Sequence, residues 1–371
     1  MTKSAMQLFV LALVMLFTGA VSFAQSPYFA LTNDEGTNNS GTIFNLNPDG
    51  SLTTVLTLET GGESLGGGYF GGVTQVISPD ASCIFIADGG GPDIAAFSSA
   101  THYSKVGNYS SSYLHGGTDM PMVINSAGTL LYAAYESSSN IGVWIINSDC
   151  SLALANVYKG LPFIGSLVIT HDQTTLLVSY EIIRRIGSYT ISGSTLTFNG
   201  AVSTGTSDVS QIAVTNDDQV VIMGTAYSTK HPANVITANL PGFTNMQTWT
   251  VGPGWSAGSI ALSPDASAGS GCLYMGNTGG GSAKQSGVTG VLFTESPLAL
   301  TYVNRVVSPL ADSLGNIATI SNTGNGRGVY AAESAGDIGV YAADSNCTVS
   351  LVKETADPNS TFLLSLSSFV R

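Results

Sequence analysis

Short apolar runs, each closed by a small polar turn, recur along the whole chain. Residues 75–77 run into the turn Ser78-Pro79-Asp80, and residues 259–262 run into Ser263-Pro264-Asp265. An apolar run that ends in Ser-Pro-Asp is typical of a buried β-strand entering a tight turn. The hydrophobic pattern therefore predicts short strands joined by turns.

The first residue of this turn recurs at intervals of 45 to 58 residues. It falls at Ser78, Asn125, Thr170, Thr215, Ser263, Ser321 and Ser367. A second pattern, an isoleucine followed three residues later by an aromatic ring, begins at Ile94, Ile141, Ile186 and Ile338. The first two gaps are 47 and 45 residues in both patterns. A period of roughly 40–50 residues with four strands per unit is typical of β-propeller blades.

The two ends of the chain supply complementary parts of one unit. Residues 28–32, 42–45 and 52–58 predict the second, third and fourth strands of a blade, while its inner strand is missing there. Residues 362–367 predict an inner strand with no unit after it. The sequence thus predicts an all-β, seven-bladed propeller of four-stranded blades, closed by the C-terminal strand joining the N-terminal blade.

The first 24 residues have the pattern of a signal peptide: Lys3, an apolar stretch at 8–19, and the small-residue cleavage site Ser22-Phe23-Ala24. The apolar stretch is shorter than the roughly 20 residues of a membrane-spanning helix. We expect cleavage after residue 24 and one propeller domain over residues 26–371. The mature protein is then secreted, or periplasmic in a Gram-negative source.

Composition narrows the class of ligand. The chain is 43% hydrophobic and 9% charged, with 44 glycines and a formal net charge of −13. Low charge and many small residues favour an all-β protein over a helical one. An acidic surface repels phosphate backbones and anionic lipid, so we expect no nucleic-acid or membrane partner. We expect a monomer.

With its repeated turns and third-strand pattern, the chain over residues 26–371 resembles the lactonase-type seven-bladed β-propellers, the group of 6-phosphogluconolactonases and carboxymuconate lactonizing enzymes. Competent members carry His-Pro-His before one inner strand, Gly-Pro-Arg-His before the next, and Asn-Glu after the strand that follows. Here the first two places read 118–122 (TDMPM) and 163–167 (FIGSL), without any basic residue. Only Glu181, in Ser179-Tyr180-Glu181, matches the last motif.

The resemblance implies a lactone-opening enzyme with an altered site. Glu181 and His115 are the predicted catalytic acid/base pair, and Arg184 and Arg185 are predicted to orient a substrate. His115 lies in a predicted blade-to-blade loop and has different spacing from the family histidines. An anionic lactone needs cationic donors that this chain lacks, so the predicted substrate is a neutral lactone or ester.

Four cysteines in an exported chain favour disulfides. Cys83 and Cys272 each begin a second strand, and Cys150 and Cys347 each occupy the third-to-fourth-strand turn of the following blade. Of the three possible connectivities, the symmetric one pairs Cys83 with Cys150 and Cys272 with Cys347.

Acidic residues follow several predicted second strands: Asp88, Glu136 and Glu333, besides Glu181. Arranged around a ring, Asp88, Glu136 and Glu333 could hold Ca²⁺ or Mg²⁺ at the mouth of the central channel through oxygen ligands. Solvated polar loops also carry acids without binding a metal, so both interpretations stand. No other cofactor is implied.

The predicted blade-to-blade loops contain the aromatic residues Tyr69, Tyr113, Phe163 and Trp255. Such rings suit the apolar faces of sugars or flat ligands, or they plug the space between blades. Two functions therefore remain: a secreted lactonase-like enzyme, and a non-catalytic extracellular propeller that recognises a glycan or a protein. A fold shared with enzymes does not decide between them.

Overall fold

The computed structural model describes residues 28–34, 38–63, 72–115, 120–225, 235–252, 256–263, 269–278, 287–308, 314–322, 327–333, 337–357, 359 and 365–370. The described residues form β-strands and a single 3₁₀ turn at Ser99–Thr101, with no α-helix. The predicted signal peptide lies outside the described residues. In the part of the chain that is described, no helix is long and apolar enough to cross a bilayer.

The strands form seven antiparallel sheets of four strands each among the described residues. The first sheet contains β1 (Tyr28–Asn33), β2 (Asn38–Leu46), β3 (Leu52–Glu63) and the last strand of the chain, β28 (Ser365–Val370). The second contains β4 (Gln75–Ile77), β5 (Cys83–Asp88), β6 (Asp93–Ser98) and β7 (Ser104–Tyr109). The third contains β8 (Met122–Ile124), β9 (Leu130–Tyr135), β10 (Asn140–Ile146) and β11 (Leu152–Lys159).

The remaining four sheets repeat this order. The fourth contains β12 (Ile164–Ile169), β13 (Thr175–Tyr180), β14 (Arg185–Ser192) and β15 (Thr195–Ser203). The fifth contains β16 (Val209–Val214), β17 (Val220–Thr225), β18 (Val235–Asn239) and β19 (Thr244–Trp249). The sixth contains β20 (Ser256–Leu262), β21 (Ser270–Thr278), β22 (Gly287–Glu295) and β23 (Leu298–Val307). The seventh contains β24 (Leu314–Asn322), β25 (Arg327–Glu333), β26 (Asp337–Ala343) and β27 (Val349–Ala356).

The first strand of each sheet contacts the first strand of the next, in the cyclic order β28, β4, β8, β12, β16, β20, β24 and back to β28. This order of contacts is that of a seven-bladed propeller, as the repeat predicts. The ring closes where β28 pairs with β1, with Leu31 opposite Ser367. The closing strand is therefore the predicted one.

Two of the predicted turn positions are wrong. Ser367 lies in the middle of β28, and Ser321 lies inside β24, rather than at the ends of these strands. The predicted strand at 362–367 is shifted to Ser365–Val370, and residues 362–364 lie outside the described residues. At β28, cross-strand pairing with β1 fixes the register, and the local sequence carries no Pro or Asp to end the strand.

Burial follows the position of each strand within its sheet. All six residues of the second strand β5 are buried, whereas no residue of the outer strand β7 is fully buried. A second strand is covered on both faces by neighbouring sheets, which is why it reads as a nearly continuous apolar run. The hydrophobic core accordingly lies between sheets: Phe85 of the second sheet packs in one cluster with Tyr135 and Trp144 of the third.

The repeated turn between first and second strands is held by its own side chains. Ser78 Oγ donates to Asp80 Oδ1 at 2.6 Å, and the N–H of Ser82 donates to the same oxygen at 3.0 Å. Equivalent bonds recur in the turns that begin at Thr170 and Thr215. These turns lie at the opposite end of the strands from the acidic loops, so they mark the repeat and do not contribute to the candidate site.

Both predicted disulfides are present. Cys83 is bonded to Cys150 and Cys272 to Cys347, with Cα–Cα distances of 5.4 and 5.3 Å. Cys150 and Cys347 adopt positive φ angles of 68° and 65°, at the turn position that Gly50 occupies in the first sheet with φ 81°. Each disulfide therefore links a second strand to a turn of the following sheet.

Candidate functional site

The loops that connect second and third strands carry the acidic residues predicted for the channel mouth. Asp88 closes β5, while Glu136 and Glu181 directly follow β9 and β13. Each begins a similar loop, in which its carbonyl oxygen accepts a backbone N–H three residues on, at 3.0 to 3.1 Å. The shared loop conformation gives these three acids equivalent places in successive sheets. Glu333 ends β25, and its side chain lies outside the part of the chain described in atomic detail.

Among these acids, Glu181 has the pKa that departs furthest from its usual value. Its residue is 6% exposed, and its Oε1 has no hydrogen-bond partner among the described residues. Burial raises the pKa of Glu181 to about 8, with further contributions from the negative charges of Glu136 and Asp208. The carboxyl group is therefore mostly protonated at neutral pH, and a protonated carboxyl can donate a hydrogen bond or a proton.

Space beside this carboxyl depends on a glycine. A β-carbon built on Gly165 would lie 3.4 Å from Glu181 Cβ and 3.5 Å from Glu181 Oε2. Gly165 belongs to the inner strand β12, so the missing side chain leaves room between the inner strand and the carboxyl group. The segment 163–167 (FIGSL) around this glycine carries no charged residue.

The residue before that inner strand fixes the position of Glu181. The carbonyl oxygen of Phe163 accepts the backbone N–H of Glu181 at 2.8 Å. Phe163 has φ 61°, which is uncommon for a bulky residue, and its side chain remains 37% exposed. Ile182 is 46% exposed in the adjoining loop. An exposed apolar rim therefore adjoins the buried acid.

The two predicted substrate-orienting arginines differ in their contacts. Arg184 Nε forms an ion pair with Asp208 Oδ1 at 2.7 Å. Arg185 begins β14 and donates to the carbonyl oxygen of Ala201 at 3.5 Å, with its side chain exposed. Because Asp208 also raises the pKa of Glu181, Arg184 is linked to the site through Asp208.

His115 and Tyr113 lie together in the β7–β8 loop. Both residues are exposed, and Tyr113 is 70% exposed. Asn140 Nδ2 anchors this loop by donating to the carbonyl oxygen of Tyr113 at 2.7 Å. No hydrogen bond or ion pair joins His115 to Glu181 among the described residues, so their roles as an acid/base pair stay a prediction. Tyr69 and Trp255 lie outside the described residues.

The predicted metal ring of Asp88, Glu136 and Glu333 stays a prediction too. Among the side chains that are described, no group of three or more His, Cys, Asp or Glu residues could hold a metal ion. Asp88 Oδ1 accepts instead from Asn39 Nδ2 at 2.8 Å. Burial raises the pKa of Asp88 to about 6, against the opposing effects of nearby hydrogen-bond donors and Lys105.

A second acidic pair lies where the ring closes. Asp34 follows β1 and accepts from Ser40 Oγ at 2.9 Å and Thr42 Oγ1 at 2.7 Å. Asp357 follows β27, and its Oδ1 accepts the N–H of Asn359 at 3.0 Å. Burial and then the neighbouring Asp34 raise the pKa of Asp357 to about 7.

Sequence reasoning missed Gly165, Asp208 and Asp357 as site residues. Gly165 lies in the inner strand β12 and Asp208 directly precedes the inner strand β16, whereas Asp357 follows β27. Asp208 directly precedes β16, but no acid recurs at that place before the other inner strands, so the repeat gives no signal for it. No sequence signal indicates that Asp357 meets Asp34.

The fold places the chain in a class, the seven-bladed β-propellers. Among solved structures, it is similar to a candidate 6-phosphogluconolactonase from Bacteroides fragilis (TM-score 0.73, 17% identity, covering 94% of this chain and 99% of that one). It is also similar to the periplasmic gluconolactonase PpgL of Pseudomonas aeruginosa (TM-score 0.71, 15% identity, covering 93% and 99%). No protein-family model and no curated protein sequence matches the chain.

These likenesses confirm the predicted resemblance at the level of the fold. They extend over nearly the whole described chain and over nearly the whole of each neighbour. At such low identity the shared fold does not transfer an activity. The function has to be inferred from the residues around Glu181.

Proposed function

We propose that the protein is an exported lactone hydrolase that opens a neutral lactone at a site centred on Glu181. The observation that carries the proposal is the buried carboxyl group of Glu181, with Oε1 unpartnered among the described residues and open space beside it at Gly165. Perturbed, desolvated acids in this position are typical of catalytic sites. The lactonase names of the structural neighbours support the same class of substrate.

The charge around the site favours an uncharged substrate. Glu136 and Asp208 both act on Glu181 as negative charges. The guanidinium group of Arg184 is already paired with Asp208. A phosphorylated or carboxylated lactone would meet repulsion here, whereas a neutral sugar lactone would not.

In the proposed mechanism, Glu181 replaces the missing cationic donors. The protonated carboxyl group donates to the ring oxygen of the lactone, on which negative charge develops as the ring C–O bond breaks. A neutral acid can do this in a desolvated site. Water attacks the carbonyl carbon, the ring C–O bond breaks, and the ring oxygen leaves as a hydroxyl group after accepting the Glu181 proton. His115 accepts the proton of the attacking water, and returns it to Glu181 through solvent. The product is the open hydroxy acid.

Export is supported by the two disulfides, which persist in oxidising compartments, and by the predicted signal peptide. One structural neighbour is itself named as periplasmic. Mass spectrometry of the N-terminus after expression with the native leader tests this part of the proposal. Cleavage after residue 24 is the expected result.

The test of activity is a proton-release assay that compares glucono-1,5-lactone with its 6-phosphate, after subtraction of spontaneous hydrolysis. We expect turnover of the neutral lactone and weaker turnover of the phosphorylated one. Glu181→Ala should reduce kcat/KM by about 10²- to 10⁴-fold, the usual contribution of a general acid or base. Glu59→Gln, a change at an exposed acid of β3, is the matched control. No turnover of neutral lactones by the folded protein would overturn the proposal.

The second candidate function, glycan binding without catalysis, is favoured by one observation. The ring of Tyr113 is largely exposed on a loop that Asn140 fixes, so it could stack on a sugar face without cost in ordering the loop. A glycan array with the wild-type protein and Tyr113→Ala tests it. Binding that depends on Tyr113 and survives in Glu181→Ala would favour this function over hydrolysis.

A further inference from the structure

Three phenylalanine or tyrosine residues in the described part of the chain have positive φ angles: Tyr103 at 57°, Phe163 at 61° and Phe243 at 55°. This left-handed conformation favours glycine, because a β-carbon crowds the backbone there, and for a bulky residue it is an outlier. A residue keeps such a conformation only where its surroundings compensate for the strain. The contacts of each side chain show whether they do.

Burial compensates two of these three residues. Tyr103 and Phe243 are both 8% exposed. The hydroxyl group of Tyr103 donates to the carbonyl oxygen of Ala81 at 3.1 Å, and Phe243 packs in one hydrophobic cluster with Val221. Phe163 is 37% exposed and belongs to none of the hydrophobic clusters formed by the described residues. Packing within the described part of the chain therefore does not account for its ring.

The backbone role of Phe163 does not require a phenyl ring either. Its carbonyl oxygen accepts the N–H of Glu181 at 2.8 Å. Glycine would offer the same carbonyl oxygen and would adopt the positive φ angle without steric cost. The ring is therefore explained neither by the backbone conformation nor by burial in the folded chain.

Ile182 presents a second exposed apolar side chain beside the same acid. It directly follows Glu181 and is 46% exposed, whereas the next residue, Ile183, packs against a core cluster. One of these two isoleucines is thus turned into the core and the other toward solvent. Phe163 and Ile182, here called the apolar pair, are joined to Glu181 by a backbone hydrogen bond and by a peptide bond respectively.

The apolar pair differs in location from other exposed apolar side chains. Among the described residues, the other large ones lie on third or fourth strands, with the exception of Tyr113. Single apolar side chains on a surface need no special explanation. Two residues are too few for a protein interface, which takes about 20–30 residues on each side. They suffice to cover a short alkyl chain, since each CH₂ group that leaves water favours binding about fourfold.

We propose that the apolar pair binds an apolar substituent of the substrate, so that the preferred substrate is a neutral lactone that carries an alkyl chain. This inference rests on the proposed hydrolase and names its substrate class. Contact with the alkyl chain buries the ring of Phe163 and provides the compensation that the unliganded protein lacks. An alkyl chain also brings no negative charge toward Glu136 and Asp208.

The kinetic test compares δ-valerolactone with δ-decalactone, which adds a pentyl chain to the same ring. We expect kcat/KM to be at least about tenfold higher for δ-decalactone. Phe163→Gly and Ile182→Ala should each reduce this ratio by about threefold or more, whereas Ile145→Ala, at an exposed isoleucine of β10, should keep it. Turnover of both lactones with equal kcat/KM would overturn the inference and leave the proposed hydrolase in place.

Binding of the corresponding δ-lactams separates the inference from catalysis, because lactams resist hydrolysis. Calorimetry should give a dissociation constant about tenfold lower for the pentyl-substituted δ-lactam than for δ-valerolactam, and Phe163→Gly should remove most of this difference. If this difference is found without turnover of any lactone, the hydrolase proposal fails and the apolar ligand site stands. Equal binding of the two lactams by the wild-type protein would overturn the assignment.

Thermal unfolding distinguishes a ligand contact from a structural role of the ring. Phe163→Gly relieves the positive φ angle and removes a ring with little packing, so the midpoint should stay within about 2 °C of the wild-type value. Phe243→Gly, at a buried ring with a similar φ angle, should lower the midpoint by much more. A fall in Phe163→Gly as large as that in Phe243→Gly would show a structural role and overturn the inference.

Discussion

Asp34 and Asp357 meet at one hydroxyl group, although they come from opposite ends of the chain. Thr32 Oγ1 is hydrogen-bonded to Asp34 Oδ1 and lies 3.3 Å from Asp357 Oδ2, and the sequence separation between Thr32 and Asp357 is 325. Both acids are buried. Burial and the neighbouring negative charge of Asp34 raise the pKa of Asp357, so Asp357 binds a proton more tightly than an isolated carboxyl group does.

Stability should therefore fall as the pH rises. The pKa values of Asp88, Asp357 and Glu181 are raised to about 6, 7 and 8. A raised folded-state pKa contributes stability that is fully present below the unfolded-state pKa of about 4, and is lost as the pH passes through the folded-state value. We expect the unfolding midpoint to be higher at about pH 5 than at about pH 8.

Asp357→Asn is the variant that isolates the contribution of the closing pair. The amide keeps the shape of the carboxyl group and an oxygen for the Asn359 N–H, but it cannot ionise. The variant should lose less stability between about pH 5 and pH 8 than the wild-type protein. Asp149→Asn, at a solvent-exposed turn, is the control. Identical pH slopes in Asp357→Asn and wild type would contradict the assignment.

Glu136→Gln should move the alkaline limb of the activity profile. The charge of Glu136 is the first electrostatic cause, after burial, of the raised pKa of Glu181. If protonated Glu181 is the catalytic acid, kcat/KM falls as the pH rises through about 8. Removing the Glu136 charge lowers the pKa of Glu181, so the fall should begin at lower pH. A profile that rises with pH through this range would show that the deprotonated group acts instead.

Gly165→Ala should reduce activity more than stability. Its β-carbon would meet Glu181 at 3.4 to 3.5 Å, which is ordinary van der Waals contact, so the fold can accept it. The added methyl group fills the space beside the carboxyl, and we expect kcat/KM to fall about tenfold, or about 1.4 kcal/mol. Gly224→Ala provides a contrast, because its β-carbon would lie 2.3 Å from the Ala257 carbonyl oxygen and should destabilise the protein. Thermal unfolding and steady-state kinetics separate the two effects.

Asp218 should matter to stability more than the histidine it contacts. Asp218 accepts from the backbone N–H groups of His171 and Asp172 at 2.7 and 2.8 Å, and lies 2.9 Å from His171 Nδ1. His171→Ala removes only an exposed side-chain pair, which contributes about 0–1 kcal/mol. Asp218→Ala removes the bonds between two sheets, at a cost of about 1–2 kcal/mol. Chemical denaturation of both variants measures the difference, and equal losses would contradict it.

The architecture could be predicted because its signals are local. The turn around Ser78 is closed by Asp80 and Ser82, and the same chemistry recurs in each unit with a recognisable turn. Strands β5, β9 and β13 are buried on both faces and read as apolar runs. The symmetric disulfides followed from the same repeat.

The site could be predicted only in part, because its contacts cross between sheets. Glu181 was identified from its place after a second strand, but its burial depends on Gly165 and its charge environment on Asp208. Gly165 comes from the inner strand β12 and Asp208 from the connection before β16, and no acid recurs at the place of Asp208 in the other units. The meeting of Asp34 with Asp357 and of Asn39 with Asp88 is likewise set by packing between neighbouring sheets, for which a single sequence carries no local signal.

The two disulfides and the closing strand differ in how far along the chain they reach. Cys83 and Cys150 are separated by 67 positions, so their bond can form once the second and third sheets exist. Strand β1, by contrast, completes its sheet only when β28 pairs with it from the far side of the seven units. A chain in which this pairing has not formed is an open arc held by disulfides, whose unpaired strand edges are places where a second chain could bind.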